Sequence, residues 1–121
     1  MNVGERLFPI IGFLVNDEIY PLIRPETAKG QPPYIIYTPI SSQSENSLDG
    51  FLGHEYAQIQ IDIYHSDYDE LDRLTNQVIK AINDNITPSE FLGRQHLYDD
   101  DSELFRQSLD YQFWTSIFNQ A

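Results

Sequence analysis

AQIQIDIYHSDYDELDRLTNQVIKAI, residues 57–82, changes its apolar period midway, and that change decides the fold. Ala57, Ile59, Ile61 and Ile63 alternate strictly with Gln58, Gln60 and Asp62. A period of two sends the aliphatic side chains to one face of a sheet and the polar ones to the other. From Ser66 the spacing switches to three and four, through Tyr68, Leu71, Leu74, Val78, Ile79 and Ile82. That is a helix with one buried stripe. Ser66 is the expected N-cap, with Asp67, Asp69 and Glu70 in the first turn, where the helix dipole favours negative charge. Asn83, Asn85 and Pro88 punctuate its end. The strand's aliphatic row is expected to dock on the helix stripe.

Toward the C-terminus, Phe91 to Tyr98 and Leu104 to Trp114 read as two arms of a hairpin around Asp99-Asp100-Asp101-Ser102. Phe105, Gln107, Leu109, Tyr111 and Phe113 share one parity, while Arg106, Ser108, Asp110 and Gln112 take the other. Toward the N-terminus, Tyr34 to Thr38 is a β-branched and aromatic strand ended by Pro39. Between these strands, residues 41–55, rich in Ser, Asn, Asp and Gly, read as a long loop with a tight turn at Asp49-Gly50. Pro21, Pro25, Pro32 and Pro33 argue against regular ladders before Tyr34. Residues 3–14 carry a short helical pattern that Pro9 should break or kink. The order is β–loop–β–α–β–β, one domain over 1–121. The fold class is α+β, a mainly antiparallel sheet of about four strands with helices packed on one face.

With 19 acids against seven bases the chain carries −12, unevenly: residues 1–50 hold six acids and three bases, residues 51–121 thirteen and four. Gripping a phosphate backbone takes a Lys/Arg patch that displaces counterions, and none is present, so direct nucleic-acid binding is not expected. The absence of cysteine excludes disulfides, thiolate metal sites and Cys nucleophiles. The first residues lack a basic segment followed by a clean apolar run, which predicts no signal peptide, and no window reaches the ~18 apolar residues of a membrane span.

His54, His65 and His96 form no HxH or HxxxH pair, and the odd separation of His54 from His65 points them to opposite faces of one strand. Asp99, Asp100, Asp101 and Glu103 are consecutive rather than alternating and lack the glycine of a calcium loop, so they read as a solvated turn. No serine lies in a G-x-S-x-G elbow, and neither a P-loop nor a dinucleotide fingerprint is present. No catalytic, metal-binding or cofactor residues are expected. Tyr56, Tyr64 and Trp114 fall on the polar parity of their strands, which fits either a protein contact or packing beneath a further loop.

Taken in order, IYPLIRP (19–25), PPYIIYTPIS (32–41), LDG (48–50), the 57–82 stretch and LYDDDSELFRQSLDYQFW (97–114) resemble the tail-completion family of tailed phages and prophages, relatives of the tail-terminator proteins. The resemblance spans about 18–115. Only the N-terminus departs, where Pro9 and Gly12 interrupt the opening helix.

The resemblance implies a virion tail protein, made in the host cytoplasm, that works as a structural subunit rather than an enzyme. Such subunits assemble with copies of themselves, usually as a hexameric ring. They sit on the tail tube protein and face the head–tail connector, with DNA passing through the lumen unbound. No cofactor and no membrane are implied. Strand edges and the 41–54 segment are the expected contact regions. Glu45, Asp49, Phe51, Tyr56, Tyr64 and Trp114 are the candidate contact residues, and Glu45, Asp49 or Asp99 to Asp101 could line the channel with like charge. A competing expectation is a small acidic module that mimics DNA and blocks a nucleic-acid-binding protein.

Overall fold

The computed structural model describes residues 3–28, 30–47, 50–86 and 89–116, with side chains at 6–28, 30–40, 56–86 and 89–114. The elements run α1 (Val3–Ile11), a 3-10 turn (Gly12–Val15), β1 (Ile19–Pro21), β2 (Tyr34–Ser47), β3 (Gly50–His65), α2 (Tyr68–Asn85), β4 (Ser89–Asp99) and β5 (Leu104–Ser116). The five strands form one sheet in the order β1-β2-β3-β5-β4. Only the β1–β2 pair is parallel; β2–β3, β3–β5 and β4–β5 are antiparallel. The last strand therefore fills the slot between β3 and β4, and α2 makes the crossover above it. The α+β class holds, with five strands rather than about four.

One face of this sheet carries the core. Ile35 of β2, Ala57, Ile59, Ile61 and Ile63 of β3, and Leu109, Tyr111 and Phe113 of β5 pack in one cluster with the helices. From α1 and the 3-10 turn come Leu7, Ile11 and Val15, and from α2 Leu71, Leu74, Val78 and Ile82. The strand row and the helix stripe meet as their periods require. Gln107 sits on this apolar parity with 0% exposure. Its Nε2 donates to Asp72 Oδ1 of α2 at 3.2 Å, and its Oε1 accepts from Arg94 Nη1 at 3.2 Å, so the buried amide is satisfied.

Four local expectations are corrected. Residues 41–47 and 50–55 continue β2 and β3 as paired strands, with Ser47 opposite Gly50. The pairing of β3 with β5 runs from His65 to His54 among the described residues. Ser, Asn, Asp and Gly without apolar alternation carry the signature of a loop, and the sequence reads as one. The expected Asp49 turn lies outside the described residues.

Ile19–Pro21 pairs with Ile35–Tyr37 despite its proline. It is an edge strand, where the missing N–H of Pro21 is tolerated.

Asp67, not Ser66, caps α2: its backbone is extended and its Oδ1 accepts from Glu70 N at 2.9 Å. Helix α1 continues past Pro9 to Ile11, and the change to a 3-10 turn comes at Gly12. Gly12 is buried, and a Cβ there would lie 3.2 Å from Asp17 Oδ1.

Candidate partner-contact face

The face of the sheet opposite the helices has two ends of different character. At one end Tyr34 of β2 and Tyr64 of β3 stack, ring centroids 4.8 Å apart, and bury together with Leu104. Arg24, from the segment after β1, lays its guanidinium over Tyr34 at 4.4 Å. It is held there by Glu18 at 3.6 Å and by a hydrogen bond from Nη2 to Gly30 O. On the other flank Arg106 Nη1 donates to the Tyr64 hydroxyl at 3.3 Å. That hydrogen bond is the first cause that raises the Arg106 pKa above its ordinary value. Burial raises the Tyr34 phenol, with the Tyr64 phenol adding to the effect.

Asp62, on the polar face of its strand as its parity requires, is only 5% exposed. It accepts from Gln60 Nε2 at 3.0 Å and lies 3.9 Å from Arg106 Nε. Tyr64, for which parity left a protein contact or packing beneath a further loop, is 8% exposed and packs in this cluster. The segment carrying Arg24 closes this end, which parity alone could not show.

The other end carries a groove. Tyr56 of β3 pairs with Trp114 of β5, and their rings meet edge to face, centroids 4.6 Å apart and planes at 81°. These two sequence-picked aromatics line a groove of about 470 Å³ together with Ser89, Glu90 and Gln112. The backbone beneath is tied to the first helix, since Arg6 Nη1 donates to Trp114 O at 3.2 Å. Sequence reasoning missed Glu90 as a neighbour of Trp114 because β4 changes parity midway. A register shift between Phe91 and Gly93, with Gly93 at φ 153°, leaves Leu92 unpaired. Glu90 is thereby opposite Gln112, while Phe91 turns inward to stack on Tyr111 at 5.2 Å. The signal was Gly93 itself, since an isolated glycine in a strand often marks a bulge.

Glu45 lies opposite His54 and Phe51 opposite Asn46, toward the Ser47–Gly50 end of the β2–β3 hairpin. Asp49 falls outside the described residues. At the other hairpin, Asp99 is engaged in its own turn, where Oδ1 accepts from Asp101 N at 3.2 Å and Oδ2 from Ser102 Oγ at 2.8 Å. Asp100 and Asp101 are exposed. Among the described residues no group of three or more His, Asp or Glu is placed to hold a metal ion. No described helix is long and apolar enough to cross a membrane.

Among the described residues both sheet margins are open: β4 has no neighbour beyond it, and β2 is paired on its outer side only at Ile35–Tyr37, where Leu22 N also bonds Tyr37 O. Along β4, Leu92 is 47% and Tyr98 52% exposed. An edge this long with apolar side chains outward is a template for pairing with another chain.

The fold is similar to a chain in a solved structure of the virion of a native gene transfer agent particle. The TM-score is 0.54 at 12% identity, and the match covers 91% of each chain. At that identity the likeness concerns the fold. Comparison with curated proteins finds no matching sequence. The family model of tail completion protein gp17 matches residues 11–116, which takes in every strand and α2. The chain belongs to this tail-completion family of phage tail structural proteins.

Proposed function

We propose that this chain is a ring-forming subunit that completes the tail tube and joins it to the head connector. The observation that carries the reading is family membership across the whole sheet, combined with two open margins on that sheet. Within one subunit β2 and β4 run antiparallel, because two strands, β3 and β5, separate them. Copies related by rotation about an axis along the strands would bring β4 of one antiparallel to the outer side of β2 in the next. Such a contact is heterologous, and it closes into a ring, hexameric in this proposal, when the rotation fits. The role is structural, in the virion tail, with assembly in the host cytoplasm. Exposed Asp100 and Asp101 would face the channel, and like charge would let DNA pass without binding.

Purified tail tubes mixed with the chain and imaged by negative-stain electron microscopy test this directly. Caps at one tube end, with six-fold averages, are expected. Tails of normal length that join heads in the absence of this chain would refute the reading.

A further inference from the structure

We infer that Leu22 and Ile23 form a fixed apolar tip that packs on Leu97 and Tyr98 of a neighbouring copy and sets the register of its β4. The inference rests on the ring reading and deepens it by naming the side chains that meet. Among the described residues, the large apolar side chains left exposed divide into two groups. Half belong to residues 8–40, with Leu22, Ile23 and Ile40 at the β1–β2 margin. The other half belong to β4, with Tyr68 beside it, 6.5 Å from the His96 ring. None lies on β3 or β5, between the margins. A heterologous contact, which joins one margin to the other, covers both groups at once.

The tip is held in place. Leu22 has φ 67°, in the left-handed region that a leucine seldom enters. Its N donates to Tyr37 O at 2.9 Å, and Ile23 N donates to Pro21 O at 2.7 Å. Arg24, next in the chain, lies over the Tyr34 ring. Two apolar side chains, 61% and 73% exposed, are thereby fixed toward solvent. Strain kept at such a place points to a contact, and a group ordered in advance loses little entropy on binding.

Strand direction selects what the tip meets. The tip stands at Tyr37, the last β2 residue paired with β1. Setting aside Tyr34–Tyr37 leaves ten of the 14 residues of β2, Thr38 to Ser47, with no outer partner among the described residues. β4 has 11 residues. Laid antiparallel along that run, β4 of the next copy has its Ser89 end at Ser47 and its Leu97–Tyr98 end at the tip. Ile23 then stops it from sliding toward Tyr34. Residues 1–50 carry six acids against three bases, only −3 of the −12, which limits repulsion of an acidic neighbour at this margin.

The chain has no cysteine, so introduced thiols are its only ones. Tube caps are made with Ile23→Cys/Tyr98→Cys, with Ile23→Cys/Leu92→Cys and with each single variant. They are oxidised with copper–phenanthroline in air and run on non-reducing gels. The Ile23/Tyr98 pair should give a ladder of covalent multimers up to the hexamer. The Ile23/Leu92 pair, displaced roughly 20 Å along β4, should give about tenfold less product. Single variants should stay monomeric.

Ile23→Asp, at an exposed position, should leave the melting temperature unchanged and weaken capping about tenfold. Equal cross-linking through Leu92 would overturn the inference, as would dimers from Ile23→Cys alone, which would set two tips together. Wild-type capping by Ile23→Asp would do the same. Six-fold caps that carry no cross-link reject this inference and leave the ring reading standing. A wild-type chain that caps no tubes rejects both.

Discussion

The ring of Tyr34 lies on that of Tyr64 across the β2–β3 pair, planes 19° from parallel, with Arg24 over Tyr34. This stack fastens the segment between β1 and β2 onto a face that would otherwise be open. Tyr34→Ala should lower unfolding free energy by about 3 kcal/mol, as for other large aromatic truncations. Arg24→Ala should cost about 1 kcal/mol, from the lost ring contact. Urea unfolding followed by circular dichroism measures both. Equal costs would mean that the guanidinium, not the stack, holds the segment.

The N-cap of α2 separates two adjacent residues. Asp67→Ala should cost about 1 kcal/mol, because it strips the acceptor from Glu70 N. Ser66→Ala, one position earlier and exposed, should change stability by under about 0.5 kcal/mol. Paired thermal melts distinguish them.

Thr75 lies on the buried stripe of α2 with 0% exposure, and its Oγ1 has no hydrogen-bond partner among the described residues. Exchanging that hydroxyl for a methyl of the same shape removes an uncompensated desolvation cost. Thr75→Val should therefore raise stability by about 1 kcal/mol in urea unfolding. A destabilised variant would show that the hydroxyl is bonded in solution.

Burial moves the Tyr111 phenol from an ordinary 10.0 up to about 12, with Arg94 opposing. The unfolded chain releases this proton first, so stability is full below pH 10.0 and falls between 10.0 and about 12. The loss amounts to roughly 2–3 kcal/mol. Burial raises Tyr34 and Tyr37 in the same direction. Tyr111→Phe should thus flatten the alkaline decline without abolishing it. Near neutral pH it should cost only about 1 kcal/mol for the 3.3 Å bond to Asn83.

The open margin of β4 gives an assembly prediction. Leu97→Lys places a charge on an edge strand whose leucine is 37% exposed. Monomer stability should stay within about 0.5 kcal/mol. Self-association or tube capping should fall at least about tenfold, since edge lysines oppose strand pairing. Sedimentation velocity alongside thermal melts provides the check. Unchanged capping would move the interface away from β4.

Where a segment buries one face, its pattern was legible: Ile59, Ile61 and Ile63 revealed their strand, and Leu71, Leu74, Val78 and Ile82 their helix. Glu45 and its neighbours are Ser, Gln and Asn without apolar alternation, so nothing in their order marks a strand. Parity assigns Asp62 and Tyr64 to the face opposite the helices but says nothing of their cover, which comes from Arg106 beside both and from Tyr34 stacked on Tyr64. Periodicity reports the side of a sheet, not what lies over it. Of the groove, Tyr56 and Trp114 were picked for their parity, whereas Glu90 was hidden by the bulge at Leu92.

The position of β5 between β3 and β4 ties the timing of folding to synthesis. Its pairs with β3 join residues as far apart as His54 and Ser116, so the middle of the sheet is missing until the ribosome has made those last residues. Under the proposed ring, a nascent chain would present no finished β4 margin to a neighbouring copy, and assembly would wait for translation to pass Ser116.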